Sequence, residues 1–189
     1  MMMKFNPKRI SEILLPLYTE ESNPSSNGNQ TASVFVPLIM TETGWHILYT
    51  KRTETLMHHR GQISFPGGMA EEDDRNAMAT ALRETEEELG VDSSTIQLLG
   101  RMQNFVTIHK MVIHPFVGIL AWPQKVNFSK DEVSKVFSIP VQWLMNPENY
   151  VEREYNGHPD VVFYDPYDGE ILWGITARIT KDFLDMVME

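Results

Sequence analysis

The sequence predicts an α/β fold in which a mixed central sheet is covered by helices on both faces. Two observations carry this expectation. Apolar, partly alternating stretches of strand character fill the middle of the chain between Ser33 and Ala121. Helix-period stretches stand before, among and after them, near residues 5–20, 78–89 and 174–187. Strands with helices in all three places imply a sheet buried on both sides. At 189 residues the chain suits one domain with a substantial core. The expected organisation is a helix-and-loop lead-in over residues 1–30, then a single domain over residues 31–189.

Taken in order, residues 5–20 place Ile10, Ile13, Leu14 and Leu17 on one stripe, which predicts a short amphipathic helix. Glu21 to Gln30, ESNPSSNGNQ, has loop composition. Ser33–Met40 is a strongly apolar strand, and Pro37 within it points to an edge position or a bulge. Thr43-Gly44 turns the chain into a second strand, Trp45–Arg52, and a polar loop runs from Thr53 to Arg60. Gln62–Phe65 alternates as a strand, Pro66-Gly67-Gly68 breaks it as a glycine turn, and a helix follows.

Ile96–Asn104 and Met111–Ala121 are further strand candidates, whereas Asp131–Phe137 is mixed and leans helical. Pro140 suits a first helical position. Tyr150–Tyr155 and Val161–Tyr164 predict a hairpin around Asn156-Gly157, with a loop longer than two residues. Gly174–Val187 is the last helix, packing Ile175, Ile179, Phe183 and Val187.

Composition excludes several classes of function. Without cysteine there is no disulfide, thiolate chemistry or Cys-based zinc site. A formal charge of −10 argues against broad binding to nucleic-acid backbones. It leaves room for a small phosphate-bearing substrate, because a bound cation and a few local bases invert the potential of a cleft. No window reaches the roughly 20 apolar residues that span a bilayer. Met1–Pro16 lacks the long apolar run of a signal peptide, so the expected location is the cytoplasm.

The chemistry concentrates between His59 and Val91. Met78, Leu82, Thr85 and Leu89 predict one largely apolar helix face. Glu84, Glu87 and Glu88 gather three carboxylates on another, which the small residues Ala77, Thr80 and Ala81 extend. Like charges at this spacing repel. Hard cations take oxygen ligands and are held by a few carboxylates together with substrate phosphates. The glycine pair upstream and the small residues beside the acids leave space for such a ligand. Gly90 stops the helix.

Arg83-Glu84-Thr85-Glu86-Glu87-Glu88-Leu89-Gly90-Val91 resembles the second half of the Nudix box, and Gly68 resembles its leading glycine. Asp74 stands where that family usually has glutamate, the stretch from it to Arg83 is one residue longer, and Thr85 replaces a common aliphatic. The resemblance implies a Nudix-type α/β/α sandwich with a mixed central sheet, and hydrolysis of a nucleoside diphosphate linked to another group. It implies Mg2+ or Mn2+ on Glu84, Glu87 and Glu88. It leaves open which of Glu84 and Glu87 orients or deprotonates water. Arg83 is expected to brace the glycine turn or pair with a box carboxylate.

Upstream, Leu48–Thr53, Gly61 and Phe65-Pro66-Gly67-Gly68 resemble the signature of the coenzyme A pyrophosphatase branch, with Thr53 in place of its serine and Met57 in place of its arginine. His58, His59 and Arg60 are candidates to replace that guanidinium. The implied substrate contacts are Arg52, Lys51, His59, Gly67 and Gly68. The implied reaction is cleavage of coenzyme A to 3',5'-ADP and 4'-phosphopantetheine. The alternatives are ADP-ribose, a dinucleotide or a nucleoside triphosphate as substrate and, from a different class, a non-catalytic Nudix-like ligand-binding module. Intact Glu84, Glu87 and Glu88 argue against the last. Later in the chain, Glu132 is a second acid able to reach the cleft, and a homodimer is expected at the family level.

Overall fold

A computed structural model describes residues 5–17, 30–54, 61–123 and 126–188. Its helices are α1 (Pro7–Ile13), α2 (Ala77–Leu89), α3 (Val141–Leu144) and α4 (Gly174–Met188). Its strands are β1 (Thr31–Thr41), β2 (Gly44–Arg52), β3 (Ile63–Ser64), β4 (Gly67–Met69), β5 (Gln97–Arg101), β6 (Phe105–Val106), β7 (Val112–Ile119), β8 (Val133–Pro140), β9 (Tyr150–Tyr155) and β10 (His158–Tyr164). Among the described residues, β1 to β8 form one mixed sheet, and β9 and β10 form a separate hairpin. The sheet is mixed because β1 runs parallel to β7 while the other pairs are antiparallel.

Strand alternation divides β1 and β2 between two cores. Phe35, Ile39 and Leu48 pack with Leu89 and Val91 at the α2 side. Val36, Leu38, Ile47 and Tyr49 pack with Ile179 and Phe183 of α4. Both faces of β1 are therefore covered, which explains its nearly unbroken apolar run. Tyr49 Oη and Thr180 Oγ1, both buried, lie 3.0 Å apart and tie α4 to the sheet.

The feature that shapes the site is a fork between β1 and β2. They pair only near their hairpin, from Leu38↔Ile47 to Thr41↔Gly44. β8 takes the opposite edge of β2, over His46 to Arg52. Residues 63–69 fill the opening: β3 pairs with Thr50 and Lys51 of β2, and β4 pairs with Ala32, Ser33 and Val34 of β1. Gly67 and Gly68 thus lie in a short strand, where the sequence predicts a turn.

The fork also corrects the reading of Pro37, which occupies a central strand. Phe35 N–H donates to Pro66 O at 2.9 Å. The position two residues on faces the same side, between the last β4 partner, Val34, and the first β2 partner, Leu38. The ladder has a gap there, so the missing N–H of Pro37 leaves no acceptor unmet.

Other expectations are corrected locally. α1 covers only part of the expected helix; it starts at an Asn6 cap with Pro7 in its first turn and buries Ile10. Residues 18–29 lie outside the described set. Val133–Pro140 is a strand, because the long edge of β2 gives this mixed sequence a template that its periodicity does not advertise. The β9–β10 loop has two residues, Asn156 and Gly157, both at positive φ (50° and 78°). This is the conformation of a primed hairpin turn. His158 joins the strand, and the register shifts between it and Val161.

Candidate active site

α2 begins at Asn76, whose side chain accepts from Ala79 N–H at 2.9 Å, and ends at Gly90, φ 65°. Its buried residues are Ala77, Thr80, Ala81, Thr85, Glu88 and Leu89. The sequence predicts Met78 and Leu82 on the buried face, but both are only half-buried. The small residues expected to leave ligand space instead lie against the sheet, where Ala77 and Ala81 pack on Phe116. Small side chains let the helix approach closely, and this rotation carries Glu88 inward, Glu84 to the margin and Glu87 outward.

Glu88 is 2% exposed. The Gly67 N–H donates to it, and Arg52 Nη1 stands 3.8 Å from its Oε1. Its Oε2 and the Nε of Arg52 are both buried and find no hydrogen-bond partner among the described residues. Burial pushes the Glu88 carboxyl up to about 8, aided by the nearby charges of Glu84 and Glu132 and opposed by Arg52 and the Gly67 N–H. Glu84 is also raised, first by burial; Arg83 opposes that, while Glu87 and Glu132 add to it.

The glycine pair has separate jobs. A Cβ on Gly68 would stand 2.5 Å from both carboxylate oxygens of Glu84. A Cβ on Gly67 would overlap the Ser33 carbonyl and approach Val34 Cα to 2.7 Å. Gly67 therefore allows β4 to lie against β1, and Gly68 allows the Glu84 carboxylate to lie on β4.

All five N–H groups of Arg83 are engaged. Nε donates to Asp74 Oδ1 at 3.0 Å, and Nη2 donates to Asp74 Oδ2 at 3.0 Å and to Met69 O at 3.1 Å. Nη1 donates to Glu84 Oε1 and Glu87 Oε2, each at 3.0 Å. Arg83 therefore braces β4 and pairs with box carboxylates at once, joining the two roles the sequence offered. Although burial works to raise the Asp74 carboxyl, hydrogen bonds from Arg83, the Glu71 N–H and Thr80 hold it below its ordinary value.

Arg52 and Glu88 converge, but Lys51 does not join them. Adjacent residues in a strand face opposite sides, so Lys51 points to the α4 side and pairs with Glu170 at 2.9 Å. His59 and Met57 lie outside the described residues. Glu132 belongs to a segment clipped to both walls of the site. Its carbonyl accepts Thr53 N–H at 2.9 Å, and Ser129 N–H donates to Glu88 O at 3.0 Å. Sequence reasoning missed the Met69 carbonyl and the Thr80 hydroxyl; a threonine between two alanines on a buried helix face was the available signal for the second.

Among the described residues, no three His, Asp or Glu side chains already stand together in a metal-ligand arrangement. Arg83 is one reason, since its Nη1 engages Glu84 and Glu87. The donors nevertheless fit a hard divalent cation: all are carboxylate oxygens, and Glu88 Oε2 is buried without a partner.

The NUDIX domain family model matches residues 29–161, well over half of the chain. The chain belongs to the Nudix family. It is 31% identical over 164 residues to an uncharacterized Nudix hydrolase, NudL, of Photorhabdus laumondii, covering 86% of this chain and 87% of that protein. It is 34% identical over 177 residues to Nudix hydrolase 15, mitochondrial, of Arabidopsis thaliana, covering 89% of this chain but 61% of that longer protein. Among solved structures, a MutT/nudix family protein from Enterococcus faecalis aligns with TM-score 0.58 and 14% identity, over 92% of this chain and 64% of that one. A Nudix hydrolase from Alicyclobacillus acidocaldarius aligns with TM-score 0.54 and 16% identity, over 83% and 91%. These two likenesses show the fold, the Nudix α/β sandwich with a mixed sheet between helices. Membership makes the chain a Nudix hydrolase domain acting on nucleotide pyrophosphate linkages. No helix among the described residues is long and apolar enough to cross a membrane.

Proposed function

We propose that this Nudix hydrolase cleaves the diphosphate of coenzyme A or a derivative, giving 3',5'-ADP and 4'-phosphopantetheine, with Mg2+ or Mn2+ held by Glu84, Glu87 and Glu88. The observation that carries the metal assignment is the buried, unpartnered Oε2 of Glu88. A carboxylate oxygen removed from water without a partner is costly, and a cation ligated there removes that cost. When bound, such a cation neutralises diphosphate charge, polarises a P–O bond and lowers the pKa of a coordinated water.

The chain's own groups divide the remaining work. Arg52, half-buried and 3.8 Å from Glu88, presents its guanidinium to a substrate phosphate. Glu84 or Glu87 takes the proton of the attacking water, whose oxygen bonds to one phosphorus as the anhydride P–O bond breaks. Arg83 positions those two acids, and Gly67 and Gly68 let the backbone of β4 lie close to the reacting groups. The choice of coenzyme A rests on the resemblance of Leu48–Thr53, Gly61 and Phe65–Gly68 to the coenzyme A pyrophosphatase signature; of these residues, Arg52, Gly67 and Gly68 stand beside the acids.

The test is a substrate panel of coenzyme A, ADP-ribose, dinucleotides and nucleoside triphosphates, with Mg2+ and Mn2+ and products resolved by mass. Coenzyme A should give the two named products. Turnover confined to another member of the panel would replace the substrate. Tight ligand binding without any turnover would favour a non-catalytic module.

A further inference from the structure

We propose that Thr80 is a positioning residue for the acidic face: its hydroxyl locks Asp74, and through Asp74 the reach of Arg83 toward Glu84 and Glu87. This rests on the reading that those acids, with Glu88, take a divalent cation.

Thr80 is fully buried, between Ala79 and Ala81. Alanine is the better helix former at such a position, so the hydroxyl needs a reason. Its oxygen lies 2.9 Å from Asp74 Oδ2 and 3.4 Å from Asn76 O, the acceptor one turn back. A hydroxyl has one proton, and the shorter, charge-assisted bond to the carboxylate takes it. Asp74 Oδ2 then accepts from three donors: Thr80 Oγ1, the Glu71 N–H at 2.9 Å and Arg83 Nη2 at 3.0 Å. Its Oδ1 accepts from Arg83 Nε.

Arg83 in turn has no spare N–H, so its position is set by Asp74 and the Met69 carbonyl at one end and by Glu84 and Glu87 at the other. Without the Thr80 bond, Asp74 keeps only the turn amide to resist the pull of the guanidinium. Arg83, already 3.0 Å from Glu84 and Glu87, is then held less firmly at its Asp74 end and is freer to follow those acids, competing more strongly with a cation for the same oxygens. The Thr80 hydroxyl contacts Asp74 and the Asn76 carbonyl rather than Glu84, Glu87 or Glu88, and acts through two intermediates.

Thr80→Val, Thr80→Ser and Glu88→Gln, compared with wild type, test this through Mn2+ affinity, measured by titration calorimetry or the EPR signal of free Mn2+, with Tm recorded alongside. Outer-shell partners of metal sites typically change affinity 10–100-fold. Thr80→Val, which keeps the shape and loses the hydroxyl, should weaken Mn2+ binding about tenfold. Thr80→Ser, which keeps the hydroxyl and loses the methyl, should bind within about twofold of wild type, on the same scale. A packing role predicts the opposite order.

Wild-type affinity in Thr80→Val, or serine as weak as valine, overturns the proposal. If Thr80→Val does not fold, the Thr80→Ser and Thr80→Ala pair decides: near-wild-type serine with weak alanine supports it, and equal weakness overturns it. Equal Mn2+ binding by wild type and Glu88→Gln overturns the metal reading itself, and this proposal with it. A weakened Glu88→Gln beside an unaffected Thr80→Val overturns this proposal alone.

Discussion

Replacing Glu88 by glutamine separates the two things that side chain does. In the folded protein its carboxyl holds a proton up to about pH 8, against an ordinary value of 4.5. The folded state therefore binds more protons than the unfolded chain between those limits, and metal-free stability must fall as pH rises through that window. At about 1.36 kcal/mol per pH unit the gap sets a ceiling of roughly 5 kcal/mol, and relaxation around the site should leave a loss of about 2–3 kcal/mol. Glutamine has a similar shape and no charge, so the Glu88→Gln protein should lack this slope and be the more stable of the two above pH 8 in chelator. The assay is denaturant unfolding in EDTA at pH 5, 7 and 9, repeated with Mg2+ or Mn2+. Divalent metal should stabilise wild type more than the variant, and metal-dependent turnover should disappear in Glu88→Gln. Parallel pH profiles for the two proteins would refute the burial argument. Wild-type turnover in the variant would refute the metal assignment.

Three further substitutions address single contacts. Gly68→Ala should reduce turnover at least about tenfold, because its Cβ occupies the space of the Glu84 carboxylate; activity at the wild-type level would show that Glu84 can move without consequence. Arg83→Lys keeps a charge but cannot reproduce the five-bond arrangement, and should cost about 2 kcal/mol in denaturant unfolding together with most of the activity. Lys51→Ala removes an ion pair with Glu170 on the far side of β2. It should cost under about 1 kcal/mol and leave KM unchanged, whereas a raised KM would restore Lys51 to the substrate contacts.

Much of the site is legible in the sequence because it is local. Glu84, Glu87 and Glu88 lie within five consecutive residues, and helix periodicity alone groups them. Gly90 stops the helix for a reason carried by its own backbone, and Pro140 signals α3, although it ends β8 and caps the helix while Val141 takes the first helical position. Lys51 and Arg52 are adjacent, so strand alternation separates them, but only the location of α2 tells which faces the acids. The same limit explains α2 itself. Its sequence supports an apolar face through Met78 and Leu82, yet Phe116, 35 residues after Ala81 in the chain, accepts the smaller face and turns Glu88 inward.

By itself the sequence determined the family, the three box acids, the glycine pair and the exclusion of thiol chemistry, because each is written in residue identity at short spacing. Tertiary structure alone decided that Pro37 sits in a central strand, that Gly67 and Gly68 form β4, and that Val133–Pro140 is a strand. Those outcomes depend on the fork between β1 and β2 and on the free edge of β2, which join segments tens of residues apart. The same long-range packing buried Glu88 and raised its carboxyl. Burial is a property of neighbours, and the neighbours of Glu88 come from β2, β4 and the segment before β8.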